Sequence, residues 1–183
     1  MKKENHQLLA EEVIEKALLK GADFSDVVIF ENTSRNISCR LGKVEEIEQS
    51  DTQVLGLRTF IGKKNAITST NNFNKDSISE TIDRVIEMTK LTPEDPLPEL
   101  VRETSTKIPD LDLYDTTDIN TDKLKEIALD IENNSLEVKG INNSNGASTS
   151  QSKSSIYLAT SAGFSNGYKR SRKTNARRSD EIL

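Results

Sequence analysis

Histidine occurs once in this 183-residue sequence, as His6, cysteine once, as Cys39, and tryptophan not at all. These scarcities exclude whole classes of chemistry. A zinc hydrolase centre needs about three protein ligands, usually two of them histidines, plus a general base. A self-contained His/Cys zinc site and the HExxH helix of a metalloprotease are therefore excluded. A Ser-His-Asp or Cys-His arrangement would have to use His6, and nothing places Cys39 or any one serine beside it. His6 itself reads as a solvated residue at the end of a helix. A single cysteine forms no intrachain disulfide, and the place of Cys39 in a strand pattern makes it a small buried hydrophobe. No apolar run approaches the roughly 18 residues of a spanning helix. The opening Met1 to Gln7 leads into Glu11, Glu12 and Glu15 rather than an apolar h-region, so no signal peptide is expected. The glycines follow no phosphate-loop spacing: Gly56 and Gly62 lie in a hairpin, and Gly163 and Gly167 precede no helix.

Apolar side chains are also sparse, at 33% with 4% aromatic. The core must be aliphatic, and a partner would add to its stability. Charged residues make up 30% with a net charge of −5, which exerts no global pull toward nucleic acid or membrane. The distribution is uneven, because Lys169, Arg170, Arg172, Lys173, Arg177 and Arg178 crowd the end against only Asp180 and Glu181. That tail, 169–183, has no apolar periodicity and reads as a disordered, solvated end or a truncated one.

The richest pattern runs from Asn36 to Asn71. Ile37, Cys39 and Leu41 alternate with Ser38, Arg40 and Gly42, and a second run places Val44 and Ile47 among Lys43, Glu45 and Glu46. Residues 54–61 form a third run, which Gly62-Lys63-Lys64-Asn65 turns into a fourth at 66–70. This predicts a four-stranded meander, with Val27-Val28-Ile29-Phe30 as a separate strand beside it. Glu45, Glu46 and Glu48 read as a solvated face. Arg40 and Arg58 are candidates to meet a substrate or partner carboxylate, although surface solubility is the default role of exposed charges. Three- and four-residue spacing predicts helices over 8–19, ended by Gly21, over 78–90, capped by Asp76-Ser77, and over 124–133, capped by Thr121-Asp122.

All four prolines fall between Pro93 and Pro109. Residues 92–120 therefore read as an extended connector, pinned by Ile108 and the apolar members of Leu111-Asp112-Leu113-Tyr114. Leu136-Glu137-Val138 is expected as a strand, residues 142–146 as a turn and 154–160 as the next strand. Helix, strand, glycine turn and strand thus recur, once in 7–70 and again in 121–168. The expected fold is α+β, with helices packed on an antiparallel sheet and possible pseudo-repeated helix–strand units. Its domain spans 1–168, divided into sub-units of about 1–91 and 121–168.

The same residues resemble the N-terminal half of the TldD/PmbA family, in its PmbA (TldE) branch. The resemblance is carried by Gly21-Ala22-Asp23, Ser38-Cys39-Arg40-Leu41-Gly42-Lys43-Val44-Glu45, Gly56-Leu57-Arg58 with Gly62, and Ser69-Thr70-Asn71. Thr92-Pro93-Glu94-Asp95-Pro96, Leu111-Asp112-Leu113-Tyr114-Asp115, Asn143-Ser144-Asn145-Gly146-Ala147-Ser148, and Ser161-Ala162-Gly163-Phe164 with Tyr168 and Ser171-Arg172 continue it in order. It covers roughly residues 5–172.

The resemblance implies a cytoplasmic zinc peptidase system of two related subunits acting on unfolded or modified peptides. In it the TldD type carries an HExxxH metal helix, and the PmbA type lacks the metal site and walls a closed chamber. Family subunits are more than twice this length, and neither TldD ligand motif falls on any residue here. No catalytic, metal or substrate-binding position is therefore carried over. Zinc is expected only in a TldD-like partner subunit, with unfolded peptide as the other partner and neither nucleic acid nor membrane. The leading expectation is a truncated PmbA-like subunit that is not catalytic alone. A stand-alone peptide-binding or partner-capping module and a non-functional gene remnant are the alternatives.

Overall fold

The computed structural model describes residues 3–96 and 109–181, so Pro98 and Ile108 of the connector lie outside the described residues. Helix α1 spans Lys3–Leu19. Its buried stripe is His6, Ala10, Val13, Ile14 and Ala17, at the three- and four-residue spacing of one helix face. Gly21, at φ 102°, closes it. The Ala22 N–H donates to the Ala17 carbonyl and the Gly21 N–H to the Leu18 carbonyl, the paired bonds of a Schellman ending.

Helix α2, Lys75–Leu91, begins where the Asn74 side chain accepts the Ser77 N–H. Helix α3, Thr121–Leu136, begins where Asn120 accepts the Lys123 N–H. In both cases an asparagine outcompetes the acid- and hydroxyl-bearing pairs expected as caps, because it stands one position before the first helical residue. Each helix is longer than its apolar repeat suggests.

Five strands among the described residues build one antiparallel sheet in the order β3-β2-β1-β4-β5. They are β1 (Phe24–Arg40), β2 (Lys43–Ile61), β3 (Lys64–Thr70), β4 (Ile141–Thr160) and β5 (Ser165–Glu181). The four-strand meander with a separate strand at 27–30 is corrected to three long strands. The breaks expected between 30 and 37 and between 47 and 54 hold only polar residues, and backbone pairing carries the chain through them regardless of side-chain type. The hairpin at Gly62 lies where expected, with Ile61 opposite Lys64 and Leu55 opposite Thr70.

The second half departs further from its pattern. Leu136 ends α3 and Glu137 caps it, so 136–138 is not a strand. Residues 142–146 belong to β4, with Gly146 kinking the strand at φ 101° instead of turning it. The basic tail is also corrected, because 169–181 continues β5 beside β4. Strand pairing satisfies its backbone, which a search for apolar periodicity cannot register. The element order still shows a helix followed by a hairpin twice, α1-β1-β2 and α3-β4-β5.

The chain forms two compact units of interleaved segments. The first contains α1, α2, β3 and the 24–31, 52–61, 155–160 and 165–168 portions of the other strands. Its aliphatic core joins Val13, Ala17, Val27, Ile29, Leu55, Leu57, Ile82 and Val85 with Tyr157. At its centre the Thr59 and Thr89 hydroxyls lie 2.6 Å apart, and Thr89 also donates to the Val85 carbonyl. The second unit contains α3 and the remaining strand portions. Its core is smaller, with Cys39, Ala128 and Ala147 at its heart.

Truncating Ile82 to alanine in the first core is expected to cost about 2–5 kcal/mol by denaturant unfolding. Gly21→Ala, with open space around it but a left-handed backbone, is expected to cost about 1–2 kcal/mol. A Gly21→Ala protein as stable as the parent would contradict the assigned helix ending.

Candidate functional site

Two glycine-bearing segments of the second unit converge on one buried carboxylate. The β1–β2 connection is a two-residue turn, Leu41-Gly42, with both residues at positive φ (49° and 73°). That geometry matches the twist of the flanking strands and aims successive N–H groups to one side. Glu132, 1% exposed on α3, occupies that position. Its Oε1 accepts the Leu41 N–H at 2.8 Å and its Oε2 the Gly42 N–H at 2.9 Å. The Ser144 hydroxyl on β4 donates to Oε1 as well.

Ser144 extends the cluster. Its Oγ accepts the Gly146 N–H at 3.0 Å, and its carbonyl accepts from Arg40 Nε at 3.2 Å. A methyl group on Gly146 would stand 2.8 Å from the Cys39 carbonyl, so this close approach requires glycine.

Burial pushes the Glu132 carboxyl upward. The Ser144 hydroxyl, the Gly42 and Leu41 amides and the Arg40 charge outweigh it, and the carboxyl lies below its ordinary value of 4.5. Cys39, fully buried, moves the other way, because desolvation and then the Glu132 charge raise its thiol. Raised and buried, it is a packing residue and a poor nucleophile.

A second polar constellation lies in the same unit, where Thr33, Ser34, Arg35, Asp118, Gln151 and Lys153 line a recess. Across it runs the chain segment 113–119. Gln151, 4% exposed, accepts the Ile119 N–H at 2.9 Å and donates to the Thr117 carbonyl at 2.8 Å. Arg35 donates to Asp118 at 3.1 Å and to the Ile119 carbonyl at 3.1 Å, and Lys153 donates to the Thr116 carbonyl. The Ser171 N–H donates to the Leu113 carbonyl, its hydroxyl accepts the Asp115 N–H, and Lys173 pairs with the Asp115 carboxylate. Lys173 and then Thr117 hold the Asp115 carboxyl well below the usual range, and Arg35 lowers that of Asp118. Leu111, Leu113 and Tyr114, expected to pin the connector by burial, are exposed. Hydrogen bonds and ion pairs hold this stretch instead.

The residues singled out from sequence do not assemble into a reaction centre. Arg58 is engaged within the chain, 2.7 Å from Asp26 and over the Phe60 ring. Arg40 serves the Ser144 carbonyl. Glu45, Glu46 and Glu48 are exposed. His6 is corrected from solvated to buried, at 3% exposure, with Nε2 3.2 Å from Glu31 Oε1. It sits four residues before Ala10 on the apolar stripe of α1, and that spacing was the available signal. Among the described residues no group of three or more His, Cys, Asp or Glu side chains is arranged to hold a metal.

Because Glu132 titrates below 4.5, its contribution to stability is present above that pH and lost as pH falls through its folded value. Glu132→Ala, which leaves buried donors without an acceptor, is expected to cost about 3 kcal/mol at neutral pH and less as the pH falls below 4.5. Denaturant melts of both proteins across the acid range measure this, and a cost that does not fall with pH would contradict an ionised Glu132.

The PmbA/TldA metallopeptidase domain 1 family matches residues 25–89. The chain is 30% identical over 138 residues to a metalloprotease PmbA homolog from Haemophilus influenzae, covering 74% of this chain and 30% of that protein. It is 25% identical over 171 residues to the metalloprotease PmbA of Escherichia coli O157:H7, covering 90% and 38%. The chain thus spans about a third of the length of these curated relatives. The fold is shared with a Bacteroides thetaiotaomicron protein named as a modulator of DNA gyrase, at TM-score 0.82 and 22% identity, over 96% of this chain and 43% of that one. It is also shared with TldE from Thermococcus kodakarensis, at TM-score 0.61 and 18% identity, over 95% and 40%. The chain belongs to the TldD/PmbA family and corresponds to the N-terminal part of its PmbA/TldE-type members.

Proposed function

We propose that this chain serves as the noncatalytic N-terminal module of a PmbA-type subunit in a two-subunit peptidase acting on unfolded or modified peptides. The metal chemistry belongs to a TldD-type partner that carries the zinc, and the complex works in the cytoplasm. No helix among the described residues is long and apolar enough to cross a membrane.

One observation carries this reading. Two segments that bear the family resemblance, 38–45 and 143–148, meet around Glu132, whose carboxylate accepts the Leu41 and Gly42 amides and the Ser144 hydroxyl and so shapes backbone. The family's signature in this part of the chain is thus a scaffold signature. A partner has a natural landing place on the sheet. Among the described residues β3 pairs with β2 over residues 55–61 and lies opposite none of the 43–51 portion. That portion also exposes Ile47. An edge of this kind accepts a further strand through main-chain hydrogen bonds.

The test is co-expression with a TldD-type subunit followed by size-exclusion chromatography and a peptidase assay. The chain is expected to co-elute with the partner and, alone, to leave unfolded casein uncut. Ile47→Lys is expected to weaken the association about tenfold, by placing a charge at the contact. Hydrolysis by the purified chain alone, or full-strength association without the 43–51 edge, would overturn the assignment.

A further inference from the structure

Segment 113–119 is held in an unusual way for a connector. From 109 to 118 every residue is exposed, and only Ile119 is half-buried. Its side chains therefore contribute little apolar burial. What holds it is a row of polar side chains, joined by the Ser171 main-chain N–H, that read backbone. Gln151 takes one N–H and one C=O of the strap, Arg35 and Lys153 each take a further C=O, and Ser171 takes one N–H and one C=O. Two carboxylates three residues apart add charge: Asp115 to Lys173, and Asp118 to Arg35, with Lys153 3.6 Å away. Lys169 lies over the Tyr114 ring.

This is the contact pattern of an extended peptide in a binding site, where main-chain bonds give sequence-tolerant affinity and a few charged pairs give selectivity. The site is built. Gln151 is nearly fully buried and fixed on β4, Arg35 and Lys153 come from rigid strands, and Arg35 and Lys153 keep only 28% and 23% of their side-chain surface exposed. The strap is not built in the same sense, since its residues 113–118 are exposed and its two ion pairs use solvent-exposed carboxylates, contacts of the kind that exchange readily.

We propose that the face carrying Arg35, Gln151, Lys153, Ser171 and Lys173 is a binding site for extended acidic peptides with carboxylates three residues apart, and that the chain's own strap occupies it in cis. An incoming peptide then gains access by displacing 113–119. Tethering sets the competitor at an effective concentration of about millimolar, so the resting protein admits only peptides that bind well or are abundant. The proposal deepens the peptide-handling reading above and rests on it for the class of ligand. Its test does not depend on the partner subunit.

The experiment uses the full chain and a fluorescein-labelled octapeptide with the sequence Leu-Tyr-Asp-Thr-Thr-Asp-Ile-Asn, read by fluorescence anisotropy at low salt. The double variant Asp115→Asn/Asp118→Asn weakens the strap while leaving the site intact. It is expected to bind the peptide about tenfold tighter than the parent chain does. A peptide with both aspartates changed to asparagine is expected to bind the double variant about tenfold more weakly than the acidic one. Lys153→Gln and Arg35→Gln, placed separately in the double variant, are each expected to reduce binding of the acidic peptide severalfold, and neither position belongs to the apolar core. Equal affinity of parent and double variant, equal affinity for acidic and neutral peptides, or no saturable binding by the double variant would each overturn the proposal. A chain that co-elutes with a TldD-type subunit but fails these measurements loses this site and keeps its place in the complex.

Discussion

The second unit depends on a carboxylate that is buried and charged. Removing Glu132 from water is costly, and only a full set of donors offsets that cost. Leu41 and Gly42 supply two amides, Ser144 a hydroxyl, and Arg40 a nearby positive charge. Each donor is in turn constrained by the acceptor. The turn must hold two positive φ values, one of them on leucine, so that its N–H groups point at α3. β4 must kink at Gly146, so that its N–H reaches Ser144 while its Cα passes against the Cys39 carbonyl. Helix, hairpin turn and kinked strand therefore specify one another through a single side chain. This suits a unit whose apolar cluster is as small as Cys39, Ala128 and Ala147 with Leu129 and Ile131. Where apolar area is scarce, a satisfied polar network supplies the register.

The sequence made visible what apolar periodicity and turn glycines encode. The stripe of α2, the Gly62 hairpin and the Gly21 helix ending follow directly from spacing and backbone freedom. It concealed what is decided by polar groups in a folded environment. Glu132 was not singled out by the sequence pattern, although it falls four residues after Ala128 and eight after Leu124, on the buried stripe. His6 lay four residues before Ala10 in the same way. The basic segment 169–181 looked like a tail because strand pairing needs no apolar side chain, only a neighbouring backbone. Residues 142–146 looked like a turn because a strand kink and a turn use the same residue types.

For function, the resemblance located the chain in its family, whereas the residues alone excluded chemistry without assigning any. The structure explains why. The residues that carry the resemblance between β1 and β4 act on backbone geometry, so they are informative about fold and silent about reaction. The face that reads the 113–119 strap has the opposite character. Its glutamine, arginine and lysine are unremarkable in sequence, and only the fold sets them along one extended segment. Scaffold and candidate binding face share strands β1 and β4, so the network that fixes those strands also fixes Arg35, Gln151 and Lys153 in line.

The measurement that bears most directly on this account is a carbon-detected NMR titration of the Glu132 carboxyl, followed together with the Leu41 and Gly42 amide resonances. A midpoint below 4.5 is expected, with both amides shifting in step as the carboxylate takes up its proton. A midpoint above 4.5, or amides that stay fixed through the titration, would show that the carboxylate does not hold the turn.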